Sequence, residues 1–305
     1  MPLATIVAVR IIFCCDPITP SRVDEAFERE AAAARAVGLA PALIDYERLV
    51  AGDADAAVRR VAASDDGVAV YRGWMLTVAQ YEALFAALRE RGVQLVNDPA
   101  QYRYAHWFPE SYPALAAVTP QSICIPSDEL DWTRLPERLS PFGAQPLVVK
   151  DWVKSRKHEW DEACFIPSAR DGAAVERVAR RFVALQGADL VGGLVFRAFE
   201  PFAPLGRHAQ SGMPLTKELR LFYLDGALLF SAHYWDDQDY GAVAAPTAFA
   251  TLARQLRSRF FTLDVALRAD GVWRVVEMGD GQVSGLPENA AADAFYGALA
   301  RHVAA

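Results

Sequence analysis

The feature of this sequence that most constrains its fold is the alternation, over its first third, of short apolar runs with segments of helical periodicity. Runs rich in β-branched residues predict strands, and segments with apolar residues three or four apart predict helices. In chain order these are strand 6–13, helix 23–37, strand 42–44, helix 55–63, strand 68–71, helix 78–91 and strand 94–96. Strands separated by helices pair in parallel through right-handed crossovers. We therefore expect an N-terminal α/β domain with a parallel sheet, spanning residues 1–118.

Beyond residue 118 the predicted strands follow one another more closely, with turns between them. Asp225-Gly226 separates two of them and is a dipeptide typical of two-residue hairpin turns. The predicted elements are strands 122–125, 147–150 and 163–166, helix 171–186, strands 194–199, 219–224 and 227–234, helix 246–260, strands 261–268 and 272–277, and helix 288–303. This order predicts an α+β region rather than a second parallel sheet. We divide it into a central subdomain, residues 119–192, and a C-terminal lobe, residues 193–305.

Charge and cysteine usage limit the possible partners. The net charge of −7 argues against a nucleic-acid partner, because the capture of nucleic acid needs a basic face. The four cysteines show neither a CxxC motif nor zinc-site spacing, so we expect reduced thiols. No apolar run approaches the roughly 20 residues of a membrane span, and residues 1–13 lack a signal-peptide pattern. We expect a cytoplasmic protein without a membrane partner, with a homodimer as the default assembly.

The densest basic stretch, residues 150–158, follows a predicted apolar strand. It reads Lys-Asp-Trp-Val-Lys-Ser-Arg-Lys-His, with Lys150 at the end of the strand and Lys154 in the loop. A loop exposed to solvent is one explanation. The other is an anionic ligand, because four cations this close together repel one another unless negative charge lies among them. A triphosphate, with about four negative charges, would supply it.

Two acids, Asp264 and Glu277, lie on predicted strands joined by the turn Ala269-Asp270-Gly271. If the strands pair through this turn, the two carboxylates lie at similar depths and can converge on one hard cation. Mg²⁺ takes carboxylate oxygens as ligands and usually bridges to substrate phosphates. Two strand-end acids on a polar face explain the pattern equally well.

Glu218 and Arg220 open the strand that precedes the Asp225-Gly226 turn, and strand alternation places both on one face. A surface ion pair is one explanation. The other assigns Glu218 to ribose hydroxyls or to lysine partners. It assigns Arg220 to the charge that develops on a transferred phosphoryl group.

Taken in order, these segments resemble the successive motifs of the ATP-grasp superfamily. They are Pro146-Leu-Val-Val-Lys150, Leu194-Val-Phe-Arg-Ala-Phe199, Glu218-Leu-Arg220, Leu263-Asp264-Val265 and Val275-Val276-Glu277. More narrowly, Tyr71-Arg-Gly-Trp-Met75, Lys150-Asp-Trp-Val-Lys154 and Glu277-Met-Gly-Asp-Gly-Gln282 are similar to a branch named for one arginine and two lysines. The resemblance implies a Rossmann-like N-terminal domain and a two-lobed ATP-grasp domain. It also implies ATP and Mg²⁺ as cofactors and the ligation of a carboxylate to an amine.

By this resemblance the site residues divide according to what they bind. The implied nucleotide-binding residues are Lys150, Lys154, Arg197, Phe199, Glu200 and Glu218. The implied catalytic residues are Arg220, which would contact the γ-phosphate and the acyl phosphate, and Lys154. The implied metal ligands are Asp264 and Glu277, with Asp280 or a water molecule as the third. The substrates would be small molecules, amino acids or peptides, with residues 203–214 as a variable loop beside the acceptor.

Two positions depart from the superfamily pattern, and some alternatives stay open. The loop after Lys150 lacks glycine, so cations would replace backbone amides around the phosphates. Gly279 stands where many members have asparagine. Arg72 either holds a substrate carboxylate at the mouth of the parallel sheet or caps its turn. The alternatives to a ligase are a kinase of a small hydroxylated molecule and a nucleotide-binding module without activity.

Overall fold

The computed structural model describes residues 9–64, 67–207, 213–235, 239–241 and 243–303. Its N-terminal part consists of β1 (Arg10–Cys14), α1 (Glu28–Ala36), β2 (Ala40–Ile44), α2 (Tyr46–Val50), α3 (Ala54–Val58), β3 (Gly67–Tyr71), α4 (Val78–Glu90), β4 (Val93–Leu95), α5 (Pro99–His106) and α6 (Phe108–Leu115). Positions 6–8 of the first predicted strand lie outside the described residues.

The four N-terminal strands form one parallel sheet in the order β2-β1-β3-β4, which confirms the parallel α/β prediction. These strands are almost continuously apolar because both faces of the sheet are covered. Ile11 and Phe13 of β1 enter one hydrophobic core, and Ile12 enters the other. A capping box starts α4: Gln80 N donates to the Thr77 hydroxyl, and Thr77 N donates to the Gln80 side chain.

The central part forms an antiparallel sheet covered by one long helix. Its elements are β5 (Ser122–Pro126), α7 (Leu135–Arg138), β6 (Leu147–Asp151), α8 (Trp160–Ala163), β7 (Phe165–Ile166), α9 (Gly172–Gln186) and β8 (Gly193–Ala198). The strand order is β5-β8-β6-β7. The predicted boundary after residue 192 falls inside this sheet, because β8 pairs with both β5 and β6. The central sheet therefore extends to Ala198.

The C-terminal part contains a second antiparallel sheet. Its elements are β9 (Pro204–Arg207), β10 (Pro214–Thr216), β11 (Glu218–Leu224), β12 (Ala227–His233), α10 (Ala250–Ala253), β13 (Phe260–Leu267), β14 (Trp273–Asp280) and α11 (Ala292–Val303). The sheet order is β12-β11-β13-β14, and β9 pairs with β10. The predicted hairpin turn is confirmed. Asp225 and Gly226 have φ angles of 49° and 75°, as a tight turn between twisted strands requires.

Two predicted segments differ from the structure. The predicted helix 246–260 is wrong over most of its length: a 3-10 turn at Thr247–Phe249 leads into the short α10, and Phe260 already opens β13. The side chain of Phe260 is fully buried as part of β13, so it packs within the sheet and not on a helix face. The predicted variable loop 203–214 contains β9, while residues 208–212 lie outside the described part of the chain.

The last helix of the chain packs against the first. α11 lies on α1, and its Phe295 and Tyr296 share a buried core with Phe13 of β1 and Phe222 of β11. The N-terminal and C-terminal parts therefore meet in a common core. This contact fixes how the parallel sheet approaches the C-terminal sheet.

All four cysteines are free thiols, which confirms the expectation that none is paired. Cys14, Cys15 and Cys164 are buried, and burial raises the pKa of Cys14 to about 11. They therefore pack as small apolar side chains. Among the described residues, no helix combines the length and the apolar character that crossing a bilayer demands.

Candidate active site

A crevice lies between the central sheet and the C-terminal sheet. Three cavities of about 370, 270 and 90 Å³ open along it. Lys157 lines all three, Glu277 lines the largest and the smallest, and Arg197 lines the 270 and 90 Å³ cavities. Because they share these residues, the cavities are adjoining parts of one site.

The register of the C-terminal sheet brings three predicted residues into one row. Arg220 of β11 pairs with Asp264 of β13, and Asp264 pairs with Glu277 of β14. Residues that pair directly share a face of the sheet, with Cβ atoms about 5 Å apart. All three line the 370 Å³ cavity. The expected pairing of the two acids across their hairpin is confirmed.

A β-bulge makes this row possible. Val265 pairs with Val275, but Asp264 pairs with Glu277, so Val276 is the extra residue on β14. Without the bulge Asp264 would face Val276, and Glu277 would lie on the opposite face of the sheet. Bulges often re-aim side chains beside functional sites, and this one turns Glu277 into the crevice.

Arg220 and Asp264 form a bidentate ion pair. Arg220 Nε and Nη2 each donate to one carboxylate oxygen at 2.8 Å, and Nη1 donates to the Gly285 carbonyl at 2.8 Å. The guanidinium also lies 4.9 Å from the ring centre of Tyr234. Burial alone would lower the pKa of Arg220, but Asp264 reverses this and raises it above its ordinary value. Arg220 is therefore a fixed cation on the cavity wall.

Lys150, at the end of β6, reaches across the crevice to Glu277 on β14. Its ammonium also donates to the Val153 carbonyl at 3.3 Å. Burial would raise the pKa of Glu277, but Lys150 and the neighbouring cations outweigh it and lower this pKa to about 2. Glu277 is consequently ionised at neutral pH, and its contact with Lys150 ties the two sheets together.

The basic stretch folds into a tight loop held by the buried carboxylate of Asp151. This carboxylate accepts the backbone N–H groups of Val153 and Lys154 at 2.6 and 2.5 Å, and the Gln186 side-chain amide at 2.8 Å. Backbone amides that a glycine-rich loop would offer to phosphate are therefore used inside the protein. Side chains are left to face the cavities.

The cations of this loop point in different directions. Lys154 is exposed and lines the 370 Å³ cavity. Arg156 instead donates to Gln186 Oε1 at 3.1 Å and to Glu159 Oε1 at 2.6 Å, away from the crevice. Arg156 thus fastens the loop to α9, whereas Lys154 faces the site.

Lys157 is the site residue that the sequence did not single out. Its ammonium makes no hydrogen bond or ion pair with the described residues, and it lies 5.6 Å from the ring centre of Tyr234. Burial would lower the pKa of Lys157, but Tyr234 and nearby acids such as Glu218 raise it above its ordinary value. The lysine therefore stays charged. Its only sequence signal was membership of the basic run, which it shares with Arg156.

The 270 Å³ cavity is largely apolar and lies beside the segment that follows β8. Its large apolar side chains are Val148, Trp160, Phe199, Phe202, Met213, Trp235 and Val276. Glu218 enters from β11, and its Oε1 accepts a hydrogen bond from the Thr216 hydroxyl at 2.7 Å. Its buried Oε2 has no partner among the described residues. A ligand hydroxyl would satisfy this oxygen.

The side chains of Arg197 and Glu200, both predicted to bind nucleotide, make hydrogen bonds within the protein. Arg197 of β8 donates to the Val275 carbonyl at 3.1 Å and so fastens the central sheet to β14. Glu200 accepts two hydrogen bonds from Arg274, each at 3.2 Å. Phe199 lines the apolar cavity. These hydrogen bonds position the segment after β8, and the side chains of Arg197 and Glu200 also line the 270 Å³ cavity.

Asp280 also lines the 370 Å³ cavity, but its carboxylate does not lie beside those of Asp264 and Glu277. It is buried, and alternation along β14 puts it on the face opposite Glu277. Its carboxylate accepts hydrogen bonds from Asn97 Nδ2 at 2.5 Å and from Gln282 N at 2.9 Å. The implied metal role of Asp280 is therefore not supported, because its oxygens connect β14 to the N-terminal part. Across the described ranges, no cluster of three or more His, Cys, Asp or Glu side chains is arranged around a metal position.

Of the two explanations for Arg72, a contact with a substrate carboxylate or a structural role, the structure supports the structural role. Its buried guanidinium donates to both oxygens of Glu30 at 3.0 and 3.1 Å. It also donates to the carbonyls of Gly281 and Ser284 at 2.6 and 2.8 Å. Ser284 and Gly285 line the 370 Å³ cavity. Arg72 therefore holds one wall of the site from the N-terminal part.

Two antiparallel sheets thus face each other across the crevice, with lysines on one and paired acids on the other. Residues 141–299, just over half of the chain, match a family described as an ATP-grasp domain, the third family of its clade. The chain belongs to this family, and the ATP-grasp resemblance is confirmed. A comparison with curated proteins finds no match.

Several solved structures share the fold over nearly the whole chain. The D-cycloserine synthetase DcsG superposes with a TM-score of 0.57 over 97% of this chain and 99% of that chain, at 17% identity. A RimK domain ATP-grasp protein from Sphaerobacter thermophilus DSM 20745 gives 0.59 over 96% and 98%, at 16% identity. The ATP-grasp ligase PsnB, solved with precursor peptide PsnA2 and AMPPNP, gives 0.56 over 99% and 98%, at 13% identity. At these identities the likeness establishes the fold.

Proposed function

We propose that this chain is an ATP-dependent ligase that activates a carboxylate as an acyl phosphate and joins it to an amine in an amide or peptide bond. The observation that carries the proposal is the row of Arg220, Asp264 and Glu277, which faces Lys150 and Lys157 across one crevice. This arrangement supplies acids for a divalent cation and cations for phosphate charge. We also assign the chain to the branch of the superfamily named for one arginine and two lysines.

The nucleoside of ATP fits the 270 Å³ cavity. The aromatic and aliphatic wall suits a flat base. The unpartnered Oε2 of Glu218 can accept a hydrogen bond from a ribose hydroxyl. The N–H of Glu200 and the carbonyl of Phe199 make no hydrogen bond with the described residues, so they can pair with the polar edge of adenine. We therefore assign this cavity to the nucleoside and the 370 Å³ cavity to the phosphates and the acceptor.

Asp264 and Glu277 are the proposed magnesium ligands. Mg²⁺ is usually bound through one or two carboxylates, with water and substrate phosphates completing its octahedron. The adjacent pair supplies two carboxylates without Asp280. Asp264 is paired with Arg220 and one oxygen of Glu277 with Lys150, so the ion would share these carboxylates with the two cations. A magnesium ion held by Asp264 and Glu277 would supply positive charge to neutralise and orient the ATP phosphates. The low pKa of Glu277 keeps this ligand ionised well below neutral pH.

The remaining residues act through charge and position. Lys154 and Lys157 hold phosphate oxygens, and Arg220 faces the charge that develops on the transferred phosphoryl group. The apolar residues Phe108 and Trp152 line the same cavity and help to exclude water, which would hydrolyse an acyl phosphate. No side-chain nucleophile is required, since the acyl phosphate is itself the activated species attacked by the amine.

Product analysis tests the proposal. The protein is incubated with ATP, Mg²⁺ and a mixture of amino acids and dipeptides, and ADP and product masses are measured. A product whose mass equals two substrates less one water supports ligation. A phosphorylated product would assign a kinase instead, and absence of ADP formation from a chain that binds AMPPNP would assign a module without activity.

A matched pair of variants ties the activity to the site. Arg220→Lys keeps a cation beside Asp264 but loses the bidentate geometry, so turnover should fall on the order of 100-fold. Arg180→Lys changes an exposed arginine on α9 that pairs with Glu176 and lines none of the three cavities. Its turnover should match that of the wild type.

A further inference from the structure

The segment that follows β3, residues 72–76, exposes two large apolar side chains beside the 370 Å³ cavity. Trp74 and Met75 are 43% and 41% exposed, and Met75 lines the 370 Å³ cavity. Open α/β sheets bind ligands beyond the carboxyl ends of their strands, which is where this segment lies. The pair is therefore placed to contact a ligand.

Hydrogen bonds fix this segment in its exposed position. Tyr71 Oη donates to the Trp74 carbonyl at 2.8 Å, and Tyr102 Oη donates to the Leu76 carbonyl at 2.7 Å. Trp74 Nε1 donates to an oxygen of Asp24 at 3.0 Å. A loop without these bonds could turn its apolar side chains inward. Apolar surface that is held open beside a cavity marks a contact with a ligand.

The rest of the cavity wall indicates the chemistry of that ligand. Phe108, Val153 and Val283 also line the cavity and add to its apolar surface. Lys154 lines it as well, is exposed, and forms no ion pair with the described residues. A ligand that carries one carboxylate and one apolar group would satisfy both kinds of contact.

We propose that the carboxylate substrate is a small carboxylic acid with an apolar side chain. The side chain packs on Met75 at a rim completed by Trp74, and the carboxylate faces Lys154, the lysine that in the proposed function also holds phosphate oxygens. This inference rests on the proposed ligase function and names the substrate class of the same site. The cavity of about 370 Å³ lies within the size range of small-molecule sites and is shared with the phosphates. We therefore assign the part beside Met75 to a free acid and not to a protein terminus.

Equilibrium binding of a homologous series of acids tests this assignment. Acetate, butyrate, hexanoate and 3-phenylpropionate are titrated by calorimetry into the full chain, with and without saturating AMPPNP and Mg²⁺. Because each buried methylene contributes a roughly constant free energy of about 0.8 kcal/mol, affinity should rise by about fourfold per methylene. Met75→Ser should flatten this increase and leave acetate binding unchanged. Leu228→Ser, which alters a side chain 43% exposed on β12 outside the three cavities, should keep the wild-type increase.

Each other outcome overturns the assignment. Equal affinity for acetate and hexanoate would refute the apolar subsite. So would an unchanged rise in affinity with chain length in Met75→Ser, or a loss of that rise in Leu228→Ser. A leucine-ending tetrapeptide that binds more tightly than N-acetyl-leucine would move the site to a peptide terminus. Failure of AMPPNP to bind is a separate result, since it refutes the proposed function while the titrations without nucleotide still test the subsite.

Discussion

Replacing Lys157 with methionine tests the arrangement of the site most directly. Methionine keeps most of the length and bulk of lysine and removes its charge. Lys157 lines all three cavities and makes no ion pair with the described residues, so the structure gives its ammonium no internal partner to compete with phosphate. If it binds ATP phosphates, the variant loses a charge-assisted contact to the nucleotide.

The magnitude follows from the energy of such contacts. A hydrogen bond to a charged group contributes about 1.5–3 kcal/mol, and about 1.4 kcal/mol corresponds to a factor of ten in a dissociation constant. AMPPNP with Mg²⁺ should therefore bind Lys157→Met about 10- to 100-fold more weakly than the wild type, measured by isothermal titration calorimetry.

Arg156→Met is the matched control, since it removes a cation one position away on the same loop. Arg156 bonds Gln186 and Glu159 and faces away from the crevice. This variant should keep nucleotide affinity and lower the thermal unfolding midpoint, because the loop loses its attachment to α9. Equal losses of affinity in both variants, or wild-type affinity in Lys157→Met, would refute the reasoning.

Three further predictions concern stability. Burial raises the pKa of Asp280 from 3.8 to about 7, so the folded state binds this proton more tightly than the unfolded state and stability falls as pH rises between these values. Thermal midpoints at about pH 5 and about pH 8 should differ less for Asp280→Asn than for the wild type, and equal differences would contradict the assignment. Arg72→Leu leaves buried Glu30 with the Tyr296 hydroxyl but without a cation, and should cost about 3–5 kcal/mol in denaturant unfolding. The double variant Arg72→Leu/Glu30→Leu should recover most of this, and no recovery would exclude the buried charge as the cause. Gly192→Ala, at a φ of 69°, places a Cβ in steric overlap with the indole of Trp152. It should lower the denaturant midpoint more than Gly187→Ala, because Gly187 has a φ of 52° and its Cβ would meet no atom within 4 Å. An equal effect of the two variants would exclude the steric explanation.

The elements that followed from local pattern were predicted best. The parallel sheet could be predicted because each apolar run was separated from the next by a helical segment, and the Asp225-Gly226 turn because few residues adopt its positive φ angles. The predicted helix 246–260 failed because Phe260 packs in the C-terminal sheet, a contact with residues distant in sequence. Short helices depend on such packing more than on propensity.

The candidate site was predictable in composition and only partly in geometry. Strand pattern and the hairpin turn were enough to pair Asp264 with Glu277. The bulge at Val276 that puts both acids on one face carries no signal in the sequence. For Asp280 the sequence suggested a contact that the structure does not favour. Its spacing from Glu277 made it a candidate metal ligand, but its carboxylate accepts a hydrogen bond from Asn97, which lies on a distant segment.

The sequence by itself determined which local structures form and which charged residues were available for a nucleotide site. Periodicity, turn residues and the basic run are properties of neighbouring residues, so they can be read without a fold. Tertiary structure alone decided that Lys157 faces the crevice while Arg156 faces α9. The direction of a loop side chain depends on the partners that the fold places beside it. Here these are Asp151, at the start of the loop, and Gln186, on α9.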